Sequence, residues 1–283
     1  MKLFRILIPA LLVSICIMTS CDKLEPPYAT VKTEYDTANK PFVLLEEFTG
    51  HRCNNCPLAT MQAHQIVSYY KNKVILMAIH ATDLADSNAK YTLNLKTPIG
   101  TLWSLNYGIS YVPMGLVNRT TYNNVFPVSP DDWGKAVELQ LAKPIKTYLK
   151  TVASVNSTKE ISVSGSVLFK KAYAAGANIA YYILEDSIIG LQSNKDPEAG
   201  TTPDIQNYVY MHTFRGSMNG AYGEQLTTAI EADKWYAFTK KFTVVNSAWN
   251  TKHLLLITVI LDPSATQYGE VIGVSEAVIK PSK

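Results

Sequence analysis

The sequence predicts an α/β domain followed by an all-β domain, on three observations. An apolar run, Phe42-Val43-Leu44-Leu45, gives way through Thr49-Gly50-His51-Arg52 to helical spacing from Pro57 onward, so a buried strand passes into a helix. A second continuous apolar run, Val74 to Ile79, has the texture of a parallel strand covered on both faces. From Ile145 the pattern turns to alternating strands with turn clusters between them and no convincing helix.

At 283 residues the chain has room for two domains of ordinary size. Its 47% hydrophobic and 17% charged residues describe a globular balance. The formal charge of +3 falls to +1 once Lys2 and Arg5 leave with a leader, and no basic stripe remains. Nucleic acid is therefore not an expected partner.

The first residues read as an export signal. Lys2 and Arg5 precede an apolar run from Ile6 to Met18, which is short of the ~20 residues a spanning helix needs. Met18-Thr19-Ser20-Cys21 has the form of a lipobox, with Cys21 acylated as the mature N-terminus. Ordinary cleavage near Cys21 is the competing reading. Two acyl chains give stable anchoring where one does not, so the expected product is tethered to the membrane through Cys21. Residues 1–20 are then signal, and residues 21–40, with Pro26-Pro27 and little periodicity, are tether.

Domain one is expected over residues 41–143. Its helix from Pro57 runs towards Lys71, and a short helix follows at Ile99 to Leu105. Asp83 to Pro98 is polar and reads as an insertion. Met114 to Val117 makes the strand after Val112-Pro113. Ser129-Pro130-Asp131-Asp132 carries an N-cap residue, proline at N1 and acids in the first turn, opening a helix to Ala142. Residues 144–283 are expected to form an immunoglobulin-like sandwich, with strands at Ile161–Phe169, Ala177–Leu184, Tyr208–Phe214, Trp235–Val245, His253–Asp262 and Val271–Ile279. Two long loops, Gln192 to Gln206 and Gly216 to Gly223, connect them.

The chemistry concentrates at Cys53-Asn54-Asn55-Cys56. With Cys16 in the signal and Cys21 on lipid, these are the two cysteines left. Placed where strand hands over to helix, Cys53 gains a lowered thiol pKa from unpaired N–H groups and the helix dipole. Cys56, one turn further, is placed to resolve it. Zinc binding, with His51 and His80 completing a site, and an inert local disulfide are the competing uses. Glu46 and Glu47 alternate faces of one strand, so one is expected inside and Glu46 solvated. Arg52 either stabilises a thiolate or is an exposed cation. His80 ends the second strand at the sheet edge where α/β proteins place ligands. His212 and Arg215 read as structural.

Over about Lys40 to Ala142 the chain resembles the thioredoxin superfamily. The resemblance rests on the strand, the C-x-x-C pair, the second strand and Val112-Pro113. It implies that Pro113 is cis and faces the cysteines, and that Glu47, six residues before Cys53, moves the proton of Cys56. Arg52 before the first cysteine, Asn-Asn between the pair and Pro57 after it depart from the usual pattern and alter the potential and the partner surface. The lipobox, the string E-E-F-T-G-x-x-C-x-x-C-P and the β-rich second half are similar to the outer-membrane-protein-28-related lipoproteins of Bacteroidetes. Together these imply a lipid-anchored envelope protein that exchanges disulfides with envelope proteins, with no cofactor beyond a redox-active Cys53–Cys56 disulfide. The alternative is a non-catalytic lipoprotein of the outer membrane whose β-domain binds a protein or glycan.

Overall fold

The computed structural model describes residues 41–71, 73–262, 264 and 269–282. The expected signal, Cys21 and the tether lie outside the described residues.

Strand β1 (Val43–Thr49) is the apolar run predicted from sequence, and every residue of it is buried. Helix α1 (Cys56–Tyr69) follows, with Pro57 in its first turn, where a missing N–H costs nothing. Strand β2 (Val74–His80) lies parallel to β1, in register Val43 to Val74 through Thr49 to His80. A short 3-10 turn, Asp83–Ala85, precedes helix α2 (Pro98–Asn106), which Thr97 caps by accepting from the Gly100 N–H. Strand β3 (Met114–Val117) pairs antiparallel with β1. Helix α3 (Pro130–Leu141) starts where the Ser-Pro-Asp-Asp signal places it, although the Ser129 side chain makes no capping bond.

The second half builds β4 (Thr147–Val155), β5 (Glu160–Phe169), β6 (Ala177–Glu185), β7 (Ile188–Ser193), β8 (Asp204–Tyr210), β9 (Thr213–Ser217), β10 (Glu224–Thr227), β11 (Trp235–Thr243), β12 (Leu254–Asp262) and β13 (Glu270–Pro281). The single strand expected at Tyr208–Phe214 is two. The chain breaks at His212, whose φ of 52° takes it out of the extended region, and β8 and β9 join different sheets. The loop expected from Gln192 to Gln206 is in part the β7–β8 hairpin.

The expected boundary at 143/144 does not divide the sheet. Among the described residues an eleven-stranded sheet runs in the order β11-β5-β4-β13-β12-β6-β9-β2-β1-β3, with β10 beside β6. β9 joins the halves: it lies parallel to β2, Ala78 opposite Thr213, and antiparallel to β6. The core is shared accordingly. Leu44, Phe48, Met77 and Trp103 pack in one cluster with Tyr182, Leu184, Phe214 and Ile257. The architecture is thus mixed α/β, with one large sheet and few helices.

Strand β12 is buried along its whole length, and β6 everywhere but at Asn178, because both faces are covered. Tyr182, Leu184, Leu255 and Ile257 face the cluster that also holds the cysteines. Their neighbours Tyr181, Ile183, Leu254 and Leu256 face Val163, Val167 and Phe169 of the curled-over β4–β5–β11 portion, a sandwich-like layer. Val43, Leu45, Val74 and Leu76 pack under α1 and α3, against Ala59, Ala63 and Trp133. Sheet alternation therefore sends each side chain into one of two dry layers.

Candidate functional site

Cys53 and Cys56 form a disulfide with Cα atoms 5.4 Å apart. The helix begins at Cys56, so Cys53 sits on the turn leading in rather than on α1 itself. Pro57 explains the shift, since proline favours the first helical turn and leaves Asn55 as the N-cap. The Cys53 carbonyl accepts the Cys56 N–H at 3.4 Å. Both cysteines are buried, at 3% and 1% exposure, among Phe48, Tyr107, Ile109, Val112 and Met114.

The Val112–Pro113 bond is cis, and the Val112 carbonyl oxygen lies 3.6 Å from Cys53 Sγ. Two further cis bonds, Phe126–Pro127 and Thr202–Pro203, have no counterpart in the sequence reading.

Glu47 is fully buried on the α1 side of β1. Thr60 Oγ1 donates to Glu47 Oε1 at 2.5 Å, and Oε2 has no partner. Burial raises the Glu47 carboxyl to about 7, with the Thr60 hydrogen bond opposing it. Thr60 stands four residues after Cys56, so both lie on one helix face one turn apart. Cys53, Cys56 and Pro113 thus share one edge of the fold, and Thr60 links Glu47 to the same helix end.

Glu46, expected in solvent, is instead fully buried, paired to Arg119 by Nη2 to Oε1 at 2.8 Å and Nε to Oε2 at 3.0 Å. Alternation along β1 holds; the expectation failed because α2 and the second half cover the other face. Burial works against the Arg119 charge, but the Glu46 carboxylate outweighs it and holds the guanidinium above its ordinary range. Trp103 and Tyr182 stack around Arg119 at 5.3 and 5.9 Å.

Arg52 turns away from the cysteines and donates from Nη1 to the Asp83 carbonyl at 3.0 Å. His80 lies in an aromatic stack rather than against a sulfur: His51 is 6.4 Å and Tyr210 5.4 Å from it, centroid to centroid. Both His80 nitrogens lack partners, and burial lowers it to about 3. His51 Nε2 lies 3.2 Å from the Asp86 carbonyl, and its ring stacks on Tyr91. The polar Asp83 to Pro98 insertion therefore roofs His51. Among the described residues no three His, Cys, Asp or Glu side chains are arranged to hold a metal ion.

The sequence reading missed Gln192. Its Nε2 donates to the Cys53 carbonyl at 2.9 Å and the Ser193 carbonyl at 3.0 Å, with the Gly50 carbonyl at 3.3 Å. The backbone adds Ser193 N–H to His51 O at 2.9 Å and Lys195 N–H to Asn54 O at 3.0 Å. A glutamine in a polar stretch, 139 residues from Cys53, carries no local signal of this.

Fold and site describe a mixed α/β protein with one large sheet, few helices and a buried C-x-x-C disulfide. The chain belongs to the Omp28 family of outer membrane proteins: that family's model matches residues 102–283, which places the chain at the outer membrane of the cell envelope. The matched stretch starts after the Cys53–Cys56 pair. Among solved structures, HBP35 of Porphyromonas gingivalis is similar over 86% of this chain and 77% of its own, at 14% identity and a TM-score of 0.63, a likeness of fold. A domain of the outer membrane lipoprotein Omp28 from the same organism aligns over 49% of this chain and 91% of its own, at 18% identity and a TM-score of 0.32, too low to carry an argument. No curated protein matches the chain.

Proposed function

We propose that this outer-membrane-family protein is anchored by lipid at Cys21 and exchanges disulfides with envelope proteins through Cys53 and Cys56. The observation that carries the reading is a disulfide at the start of α1 with a carboxyl of raised pKa, Glu47 of β1, hydrogen-bonded to Thr60 one helical turn after Cys56. The parallel β1–β2 pair, the antiparallel β3 and the cis proline before it support a thioredoxin-like arrangement of the first half.

In the reduced protein, the Cys53 thiolate attacks one sulfur of a partner disulfide and expels the partner's other sulfur as thiolate. Cys56 then gives its proton to Glu47, attacks Cys53 Sγ and expels the partner's second thiolate. The chain ends as the Cys53–Cys56 disulfide and the partner as a dithiol. Pro113 shapes the groove beside Cys53. Trapping tests this: Cys56→Ser should accumulate covalent adducts with envelope proteins that reductant dissolves, and Cys53→Ser should not. No adduct from either variant would reject exchange.

A second reading has its own observation. The family match lies over residues 102–283, and the cysteines are almost wholly buried, which favours a non-catalytic protein whose β-rich half binds a protein or glycan. The open face of β4, β5 and β11, where Tyr148, Val152 and Trp235 stand exposed, is the surface it would use.

A further inference from the structure

We propose that the β7–β8 hairpin is an internal clamp on the C-x-x-C loop, and that Gln192 is a positioning residue that biases Cys53 and Cys56 towards the disulfide. It rests on the exchange reading for its meaning, since a clamp on the pair sets how readily the pair exchanges.

The hairpin holds the backbone of four residues of that loop. Gln192 engages Gly50 and Cys53, Ser193 engages His51, and Lys195 engages Asn54. Gln192 is itself 2% exposed. Its Oε1 lies 3.1 Å from the Tyr210 hydroxyl, which also reaches the Leu191 carbonyl at 2.8 Å, and His80 packs against the Tyr210 ring. The carboxamide therefore cannot rotate without breaking a buried network.

Reduction needs room. Two bonded sulfurs must part to van der Waals separation, through backbone movement or side-chain rotation. Rotation is confined, because both cysteines are packed inside the core. Backbone movement is opposed by the hairpin, since the Cys53 carbonyl is already shared between Gln192 and the Cys56 N–H. The clamp therefore stabilises the oxidised loop over the reduced one. By linkage, reduction must loosen the hairpin by the same factor.

The test uses the full chain equilibrated with dithiothreitol. The dithiol's thiolate attacks Cys53 Sγ and Cys56 leaves as thiolate. The reductant's second thiol then displaces Cys53, so the reductant becomes a cyclic disulfide while its two protons end on the cysteines. Gln192→Met keeps side-chain length and removes both donors. The equilibrium constant for reduction should rise about tenfold, a potential about 30 mV higher, and reduction should be faster. A merely structural role would lower the stability of both redox states equally and leave the potential where it was; that result overturns the clamp. If Gln192→Met does not fold, the native chain decides. The amides of Ser193 and Lys195 should exchange hydrogen faster after reduction, and equal protection in both redox states overturns the proposal. Exchange with partners is read separately by adducts of Cys56→Ser, so an unchanged potential with adducts present rejects only the clamp, and a shifted potential with no adducts rejects only exchange.

Discussion

Arg119 and Glu46 meet as a fully buried ion pair across 73 residues of chain, with Arg119 Nη2 2.8 Å from Glu46 Oε1 and Nε 3.0 Å from Oε2. Tyr182 of β6 closes the group, its hydroxyl 3.3 Å from Arg119 Nη2 and donating to the Ala221 carbonyl at 2.8 Å. The Trp103 indole N–H donates to that same carbonyl at 3.2 Å. One polar knot thus ties β1, α2 and β6 together inside the cluster that holds the disulfide.

Breaking this pair from one side leaves a charge in a dry core. Arg119→Met should destabilise the protein by about 3–5 kcal/mol, because the Glu46 carboxylate loses its counter-ion. Adding Glu46→Leu to that variant should restore much of the loss, since an apolar pair carries no desolvation penalty. Urea melts of the single and double variants check this. A double variant less stable than Arg119→Met alone would show that the pair does more than neutralise itself.

Much of the site's frame is legible in local sequence. The apolar run of β1, Pro57 in the first turn of α1 and Ser129-Pro130 before α3 act within a few residues, and each element starts within a residue or two of its expected place. What sequence left hidden is long-range. Glu46 reads as solvated until Arg119 is known to face it. Gln192 reads as loop until β7 lies beside Gly50 and Cys53. The joining of the halves rests on β9, a five-residue strand whose parallel partner, β2, lies more than 130 residues earlier. No periodicity records a pairing of that kind.

His80 gives a prediction of acid sensitivity. Burial holds the ring neutral, lowering it from 6.5 to about 3. A histidine depressed on folding contributes stability that is present above its unfolded pKa and lost as pH falls towards the folded one, here between about 6.5 and 3. His80→Phe keeps a ring against Tyr210 and removes the titration. Its stability relative to the native chain should rise as pH falls from 6.5 to 4, by roughly 1–3 kcal/mol. A constant difference across that range would show that His80 protonates freely when folded.

The proposed lipid anchor is Cys21. Cys21→Ser should abolish labelling by a fatty-acid analogue and move the protein from membrane to soluble fraction after salt washing. Two acyl chains bind far more strongly than a rim of charge, so salt separates lipid from electrostatic attachment. Membrane partitioning equal to that of the native chain would remove lipid at Cys21 from the proposal.

Glu47 gives the opposite pH slope, over a window that overlaps that of His80. Its carboxyl rises from 4.5 to about 7 on folding, with burial the main cause and Thr60 opposing. Below 4.5 the carboxyl is protonated whether folded or not, and burying it carries no charge penalty. Between 4.5 and 7 the unfolded chain releases the proton while the folded chain keeps it, so stability falls as pH rises. Above 7 the folded chain carries the anion and the whole penalty, about 3 kcal/mol from the size of the shift. The buried histidines change stability in the other sense over part of this range, so the native curve alone does not isolate Glu47. The difference between native and Glu47→Gln does. The carboxamide of that variant still accepts from Thr60 but cannot ionise, so its advantage should grow from about pH 4.5 to about 7.5 and then level. Thr60→Val removes the bond that favours the anion, and should move the midpoint of that growth to higher pH. A flat difference across that range would mean that Glu47 ionises in the folded protein as it does in the unfolded one, and that its carboxyl is not tuned to take the proton of Cys56.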